Sequence, residues 1–273
     1  MLHPVFMFTH TLDSMSKSRI EKYLEQQGLL VGDTLFFPST EEVPSHGKTR
    51  IDEVPTLIQT DPEHHEMKQS TQWQTATDLA VLDRRICTCI KCSLGATRTK
   101  FVFGTGNPKA DIVVIGEAPG ADEDARGEPF VGRAGQLLTK ILEAVQLQRE
   151  DVFICNILKC RPPGNRRPLP EEVEQCEPYL FKQLELIQPK FILALGLTAV
   201  STLTKINVKM ADVRGSFYSY RDIRMLVTYH PAALLRNPEW KRAAWEDIQL
   251  LRRSYDDFKA TGRLPDVRPL PVG

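Results

Sequence analysis

The sequence predicts an α/β fold built on a mainly parallel sheet, and three observations carry that reading. Four short apolar runs rich in β-branched residues, Ile112–Ile115, Val152–Ile157, Phe191–Leu195 and Met225–Val227 with its flanks, have the continuous hydrophobicity of strands buried on both faces. Helical patterns lie between and after them, near Gly135–Val145, Pro170–Ile187, Leu197–Leu203 and Glu239–Phe258, and such alternation implies βαβ units. The third observation is the loop that follows the first run, Gly116-Glu117-Ala118-Pro119-Gly120-Ala121-Asp122-Glu123-Asp124, which continues through Pro129-Phe130-Val131-Gly132-Arg133-Ala134-Gly135. Strand-to-helix connections usually take about 2–6 residues. A longer one, dense in glycine, carboxylates and an aromatic ring, stands where open α/β sheets bind ligands, at the carboxyl ends of the strands.

Taken in order, residues 1–77 read as an acidic, largely flexible, poorly structured N-terminal extension. Ser16 to Gln27 has the spacing of one amphipathic helix, with Ile20, Tyr23 and Leu24 on a face and Gly28 ending it. The stretches 40–47 and 61–66 are polar and poor in apolar residues, and His64-His65 within the second reads as solvated chain. A globular domain spans 78–260. Leu79, Val81 and Leu82 start its first helix, and the last helix carries Trp240, Trp245, Ile248, Leu251 and Tyr255 at a spacing that reads as core. Residues 261–273, with three prolines after Leu264, read as a loose tail.

Composition bounds the function. At 273 residues, 41% hydrophobic and 26% charged, the chain is ordinary for a globular protein. No apolar run approaches the roughly 20 residues of a membrane span. The start, Met1 to Phe8, lacks the basic region and cleavage pattern of a secretory signal, so the expected location is cytoplasmic. The net charge of zero hides an asymmetry: residues 1–85 hold 8 basic and 13 acidic side chains, a net of −5, and residues 86–273 hold 27 and 22, a net of +5. A mildly basic body suits a polyanion.

Six cysteines are present: Cys87, Cys89, Cys92, Cys155, Cys160 and Cys176. Cys89 and Cys92 form a C-x-x-C pair, Cys160 follows the second strand, and Cys176 lies on a helical stretch. Two paired thiolates joined by two distant ones make a closed four-thiolate site, suited to zinc or to an iron–sulfur cluster, and spacing does not choose between them. Cys87 is too close to Cys89 to be a comfortable fellow ligand, and Cys155 falls inside a strand, where a buried thiol is an ordinary core residue.

The residues then carry a pattern with a known likeness. Gly116-Glu117-Ala118-Pro119-Gly120, Pro129-Phe130-Val131-Gly132, Asn156-Ile157-Leu158-Lys159-Cys160-Arg161-Pro162-Pro163-Gly164-Asn165-Arg166 and His230-Pro231-Ala232-Ala233-Leu234-Leu235-Arg236-Asn237-Pro238, with the cysteine frame, resemble the family 4, iron–sulfur type of uracil-DNA glycosylase from about Cys87 to Tyr255. The resemblance implies a three-layer α/β/α domain with a four-stranded parallel sheet, and a [4Fe-4S] cluster on Cys89, Cys92, Cys160 and Cys176. It implies DNA repair by excision of uracil from single- or double-stranded DNA, a monomer, and a nucleoid-associated location, with the extension free to meet a replication or repair protein. Two departures from the wider superfamily stand out. Ala118 occupies the place where many relatives carry a water-activating Asp, and no His follows between Arg161 and Pro170 to act as a covalent nucleophile.

Cutting the bond from uracil to its sugar leaves negative charge on the base and positive charge on the sugar, and the base must first be flipped from the stack. Phe130 offers a stacking face. Asn156 offers an acceptor for N3–H and a donor for O4, a pattern cytosine cannot match. His230 offers a donor to O2 as charge develops. The resemblance places Glu117, Ala118 and Glu123 around base and ribose and Asn165 near the water, which makes Glu123, Asn165 and His230 the catalytic candidates. Asp122, Asp124 and Glu128 read as facing solvent. Arg161, Arg166, Arg167 and Arg236 are candidate phosphate contacts, and Leu234 or Leu235 a wedge for the gap in the duplex. The competing reading is a non-catalytic DNA-binding iron–sulfur module coupled to replication. An iron–sulfur electron carrier ranks last, since it needs no Phe130, Asn156 and His230 together.

Overall fold

The computed structural model describes residues 72–270, together with a strand pair further upstream. The chain divides into two units, Met1–Gln59 and Thr60–Gly273. In the first, Leu30–Val31 (β1) pairs antiparallel with Thr34–Leu35 (β2). The helix expected over Ser16–Gln27, the stretches 40–47 and 61–66, and His64-His65 lie outside the described residues.

The second unit carries a six-stranded sheet in the order β3-β5-β4-β6-β8-β7. Its strands are Thr105–Gly106 (β3), Ile112–Gly116 (β4), Phe153–Asn156 (β5), Phe191–Leu195 (β6), Phe217–Tyr220 (β7) and Ile223–Thr228 (β8). The four apolar runs form the parallel centre, β5-β4-β6-β8. Two antiparallel edge strands enlarge it, so the sheet has six strands and not four. β3 is two residues long. β7 joins β8 through Arg221-Asp222, both at positive φ (50° and 66°), without the Asn-Gly or Asp-Gly pair that marks such a hairpin in a sequence.

The helices are Leu79–Ile86 (α1), Leu94–Thr97 (α2), Ala121–Arg126 (α3), Arg133–Ala144 (α4), Pro170–Ile187 (α5), Leu197–Thr204 (α6), Met210–Val213 (α7), Pro231–Arg236 (α8) and Lys241–Thr261 (α9). Successive strand residues enter opposite layers. From β4, Val113 and Ile115 pack with α1, α5 and α6, while Ile112 and Val114 pack with α4 and α9. Both faces are therefore apolar, and each fully buried Val, Leu or Ile contributes about 1.5–3 kcal/mol. Among the described residues no helix is long and apolar enough to cross a membrane.

Asp78 caps α1 by accepting the Val81 N–H at 2.8 Å. Just before it Trp73 meets the Tyr179 ring edge-on at 4.9 Å, and Trp73 and Ala76 join the core. α9 runs against the strand direction. Near its start Asp247 accepts a hydrogen bond from Thr228 at the end of β8, and further on Tyr255 donates to Asp111 beside the start of β4. The first turn of α9 thus stands at the carboxyl edge of the sheet. Two expectations change here. Ile248 and Leu251 are core, but Trp240 and Trp245 are exposed, because helical spacing does not locate the ends of the buried stripe. The expected loose tail is tied down as far as Leu270. The Arg268 N–H donates to the Phe217 carbonyl at 2.8 Å, Arg224 donates to the Pro265 carbonyl, and Leu264 and Leu270 pack on the two cores.

Candidate functional site

Gly116 ends β4 and pairs in register with Asn156, the end of β5. A methyl group at position 116 would lie 2.4 Å from Asn156 Oδ1 and 2.5 Å from Phe130 Cζ. Only glycine lets the two side chains close over the strand end. Asn156 is 2% exposed, and its Oδ1 is buried with no hydrogen-bond partner among the described residues. A buried acceptor left unpaired costs about 1–3 kcal/mol, so this atom is set up for a donor that the described residues do not supply.

Phe130 lies against His230, ring centroids 5.6 Å apart and planes 34° apart. Its φ of 54° is unusual for a bulky side chain, and its neighbours enforce it. One oxygen of Glu123 accepts the N–H groups of Val131 and Gly132 at 2.9 Å each, and the other accepts that of Gly120 at 3.0 Å. Arg149 donates to the carbonyls of Pro129 (2.8 Å) and Phe130 (3.1 Å) from the opposite side. Gly135 must lack a side chain, since a Cβ there would fall 1.8 Å from the Phe130 carbonyl oxygen.

His230 precedes α8 and caps it: its Nδ1 accepts the Ala232 N–H at 3.1 Å. The proton of the neutral ring therefore sits on Nε2. Burial first, then the charge of Arg236, push its pKa down to about 4, with Glu123 pulling the other way. The imidazole is neutral near pH 7 and still holds an N–H to donate.

The thiols gather behind β5. The Arg98 guanidinium donates to Cys160 Sγ at 3.4 Å and to the carbonyls of Cys89 and Cys87. The Tyr179 hydroxyl donates to Cys89 Sγ at 3.3 Å, and the Lys159 N–H to Cys176 Sγ at 3.3 Å. Burial pushes the pKa of Cys160 up to about 11 and that of Cys176 up to about 12, and neighbouring thiols push the same way: Cys92 and Cys89 on Cys160, Cys160 and Cys89 on Cys176. Crowded thiols of this kind favour a cation among them. The described residues hold no group of three His, Cys, Asp or Glu side chains close enough for one metal ion. Cys155 is a core residue of β5, and Cys87 is half-buried, its Sγ on the Arg84 carbonyl.

Residues 103–249 match the uracil DNA glycosylase superfamily. A type-4 uracil-DNA glycosylase from Archaeoglobus fulgidus is 46% identical over 190 residues, 66% of this chain and 90% of the relative. One from Saccharolobus solfataricus is 46% identical over 182 residues, 63% and 84% of the two chains. A type-5 uracil-DNA glycosylase from Pyrobaculum aerophilum is 32% identical over 170 residues, 56% and 74%. The chain belongs to the type-4 branch of the uracil DNA glycosylase superfamily.

Within this type-4 domain the structure brings Phe130, Asn156 and His230 together and distributes the remaining candidates differently from expectation. Glu123 spends its carboxylate on three backbone N–H groups, which makes it a clasp on the Phe130 loop and not a free base. Asn165 is exposed at the end of the short turn Pro163–Asn165, and its carboxamide oxygen accepts from Arg161 Nε at 2.8 Å. Arg166 is no free phosphate contact: its guanidinium grips Glu172 through two hydrogen bonds, 2.5 and 2.9 Å, while Glu172 also accepts the Leu169 N–H before α5. Arg167 and Arg236 remain exposed. Leu234, the wedge candidate, is 2% exposed and packs inside, whereas Leu235 is 43% exposed. Asp124 is buried, not solvated, and accepts the N–H groups of Thr99 and Lys100. Glu117 and Ala118 are half-buried at the strand exit, Ala118 against the core.

Sequence reasoning missed Lys159, which is 0% exposed. Its Nζ donates to the Asn156 carbonyl at 2.8 Å and to Gln183 Oε1 at 2.5 Å, and Gln183 donates in turn to the Phe103 carbonyl. Burial lowers its pKa. The ammonium thus ties the strand end that carries Asn156 to α5, the helix of Cys176. The only signal was a charged residue in an otherwise apolar strand exit. Arg149, fourteen residues beyond Gly135 in a different connection, left no signal at all.

Proposed function

We propose that this chain is a monofunctional DNA repair glycosylase, which flips uracil from single- or double-stranded DNA and hydrolyses its bond to the sugar, leaving an abasic site. The observation that carries the reading is the Oδ1 of Asn156, unpartnered among the described residues, which closes with the Phe130 ring over Gly116 while that ring lies against His230. Uracil supplies the missing donor at N3–H, and the Asn156 amide supplies a donor to O4. Cytosine lacks the N3 proton and carries an amine in place of O4, so it leaves Oδ1 unpaired and sets donor against donor. Phe130 stacks on the base. His230, neutral and with its proton on Nε2, donates to O2 as the departing base becomes an anion. A neutral donor gains most when the acceptor gains charge, which places its effect in the transition state.

The carboxylate for the sugar cation is Glu117 in this scheme. Its side chain accepts no hydrogen bond among the described residues, whereas Glu123 is saturated. Asn165 keeps its amide N–H groups free for the attacking water, beside a DNA phosphate on Arg161. Arg236 and Leu235 meet the strand around the gap.

The four-thiol set fits the [4Fe-4S] cluster of the family reading. Four thiolates are the donor set such a cluster takes, and three of the four, Cys89, Cys160 and Cys176, already receive hydrogen bonds at sulfur. Bound there, the cluster would cross-link the loop after α1, the exit of β5 and α5. Arg98, Tyr179 and the Lys159 N–H would offset the charge on its thiolates.

The test is incubation with an oligonucleotide carrying one uracil, followed by alkali, which cuts only at abasic sites. Cutting at uracil alone is expected, from protein holding about 4 iron atoms per chain. Intact strands would overturn the enzyme reading and leave the non-catalytic DNA-binding module. One zinc and no iron in anaerobically prepared protein would overturn the cluster.

A further inference from the structure

The exposed ring of Trp240 has no role in the site so far. It is 36% exposed and lies stacked on Tyr229, centroids 4.9 Å and planes 24° apart. Tyr229 directly precedes His230, so one face of the pair is fastened to the strand end that carries the base-reading histidine. The other face of Trp240 looks outward. We propose that Trp240 is a stacking platform for a nucleobase of the DNA strand beside the flipped uracil.

Three observations point to a nucleic-acid strand as occupant. The platform is continuous with the site, since Tyr229, His230 and the first turn of α9 share the carboxyl edge of the sheet. The charge near Trp240 along the chain is complementary: Arg236, Lys241 and Arg242 are exposed, with Glu239 among them and Arg242 paired to Glu246 at 3.5 Å. Trp240 is itself the residue before α9 and gives that 21-residue helix no side-chain cap; the Lys241 N–H already donates to the Pro238 carbonyl, and what the helix offers a phosphate is the positive end of its dipole. A flat aromatic face next to such charge is how single strands are held without regard to sequence, each stacked base being sensitive to loss of the ring. The open side of the platform suits a base already unstacked from its neighbour by flipping.

This inference rests on the chain acting on DNA, and its test separates the two. The full chain, W240A and W240F are titrated at fixed salt with an undamaged single-stranded oligonucleotide, and the parent is assayed for uracil excision in parallel. W240A should weaken binding about tenfold and W240F by less than threefold, since a phenyl ring still stacks. The slope of log Kd against log salt should not change, because no phosphate contact is lost. Tryptophan emission of the parent should be quenched on binding, and W240F should remove most of the quench although Trp73 and Trp245 remain. W240A binding within twofold of the parent, or a quench that survives in W240F, would overturn the platform. Normal excision with unchanged W240A binding sinks the platform alone, and a Trp240 effect in a chain that excises nothing sinks the excision reading alone.

Discussion

The loop from Gly116 to Gly135 and the segment from Tyr229 to Arg242 meet at the pair Phe130 and His230, and they are held in opposite ways. The loop is fixed from both sides. Glu123 takes three of its N–H groups, Arg149 takes two of its carbonyls, and glycines at 116 and 135 admit contacts that no other residue allows. The segment is anchored at its start by His230 and buried Leu234, then exposes Leu235, Arg236 and Trp240. Reading a base by two hydrogen bonds needs a site rigid to a fraction of an ångström. Following a strand of variable sequence needs charge and flat apolar surface. Under the proposed function, the contrast would divide base choice from strand grip.

His230 belongs to both regions, so its loss tests the contrast hardest. Removing a donor to developing negative charge costs about 2.7–4 kcal/mol, a hundred- to a thousandfold in rate. His230→Ala should therefore lower the single-turnover rate by that factor while DNA affinity changes little. If it keeps its rate and loses affinity, the histidine belongs to strand grip. The depressed pKa adds a second check. The ring is neutral down to about pH 4, so the rate should show no His230 titration near pH 6.5. The folded pKa lies below the unfolded one, so the stability this group provides is full above about pH 6.5 and lost as pH falls towards 4.

Glu123 tests the rigid side. Hydrogen bonds to a charged group contribute about 1.5–3 kcal/mol. Glu123→Ala should loosen Phe130 and cut kcat/KM about tenfold to a hundredfold, with lower protection of the Val131 and Gly132 amides in hydrogen exchange. Glu123→Gln should recover part of both, since its amide oxygen still accepts from Val131 and Gly132. A rate loss without any change in amide protection would return Glu123 to the chemistry and remove it from the scaffold.

The same division governs what a sequence can reveal. The parallel centre of the sheet was legible because each strand is apolar on both faces, and the gathering of Gly116, Phe130 and Asn156, with His230 against Phe130, was legible because their motifs sit at strand ends. The edge strand β7 was not, because its hairpin turn is Arg221-Asp222 and positive φ is unmarked there. The roles of Glu123 and Arg166 were not, because a carboxylate or guanidinium in a motif looks the same whether it faces substrate or backbone. Lys159 and Arg149 act through carbonyls, and no side-chain pattern records a carbonyl. Leu234 was misplaced because spacing along a six-residue helix does not tell which side is buried, and Trp240 because spacing along a long helix does not locate the end of its buried stripe.

Leu234 and Leu235 give the smallest expected effect on activity and the sharpest test of the exposed side. Both are leucines on one turn of α8, at 2% and 43% exposure. Leu234→Ala deletes packed methyl groups and should cost about 2–5 kcal/mol of stability, read as a lower unfolding midpoint. Its effect on excision in the fraction that stays folded should be slight. Leu235→Ala should leave stability within about 0.5 kcal/mol. If Leu235 fills the gap left by the flipped base, it acts only where there is a stack to hold open. Excision from duplex should then fall about threefold to tenfold, while excision from single strands stays at the parent rate. An equal loss on both substrates would make Leu235 a general strand contact, like Arg236, and leave the duplex without a wedge from this helix.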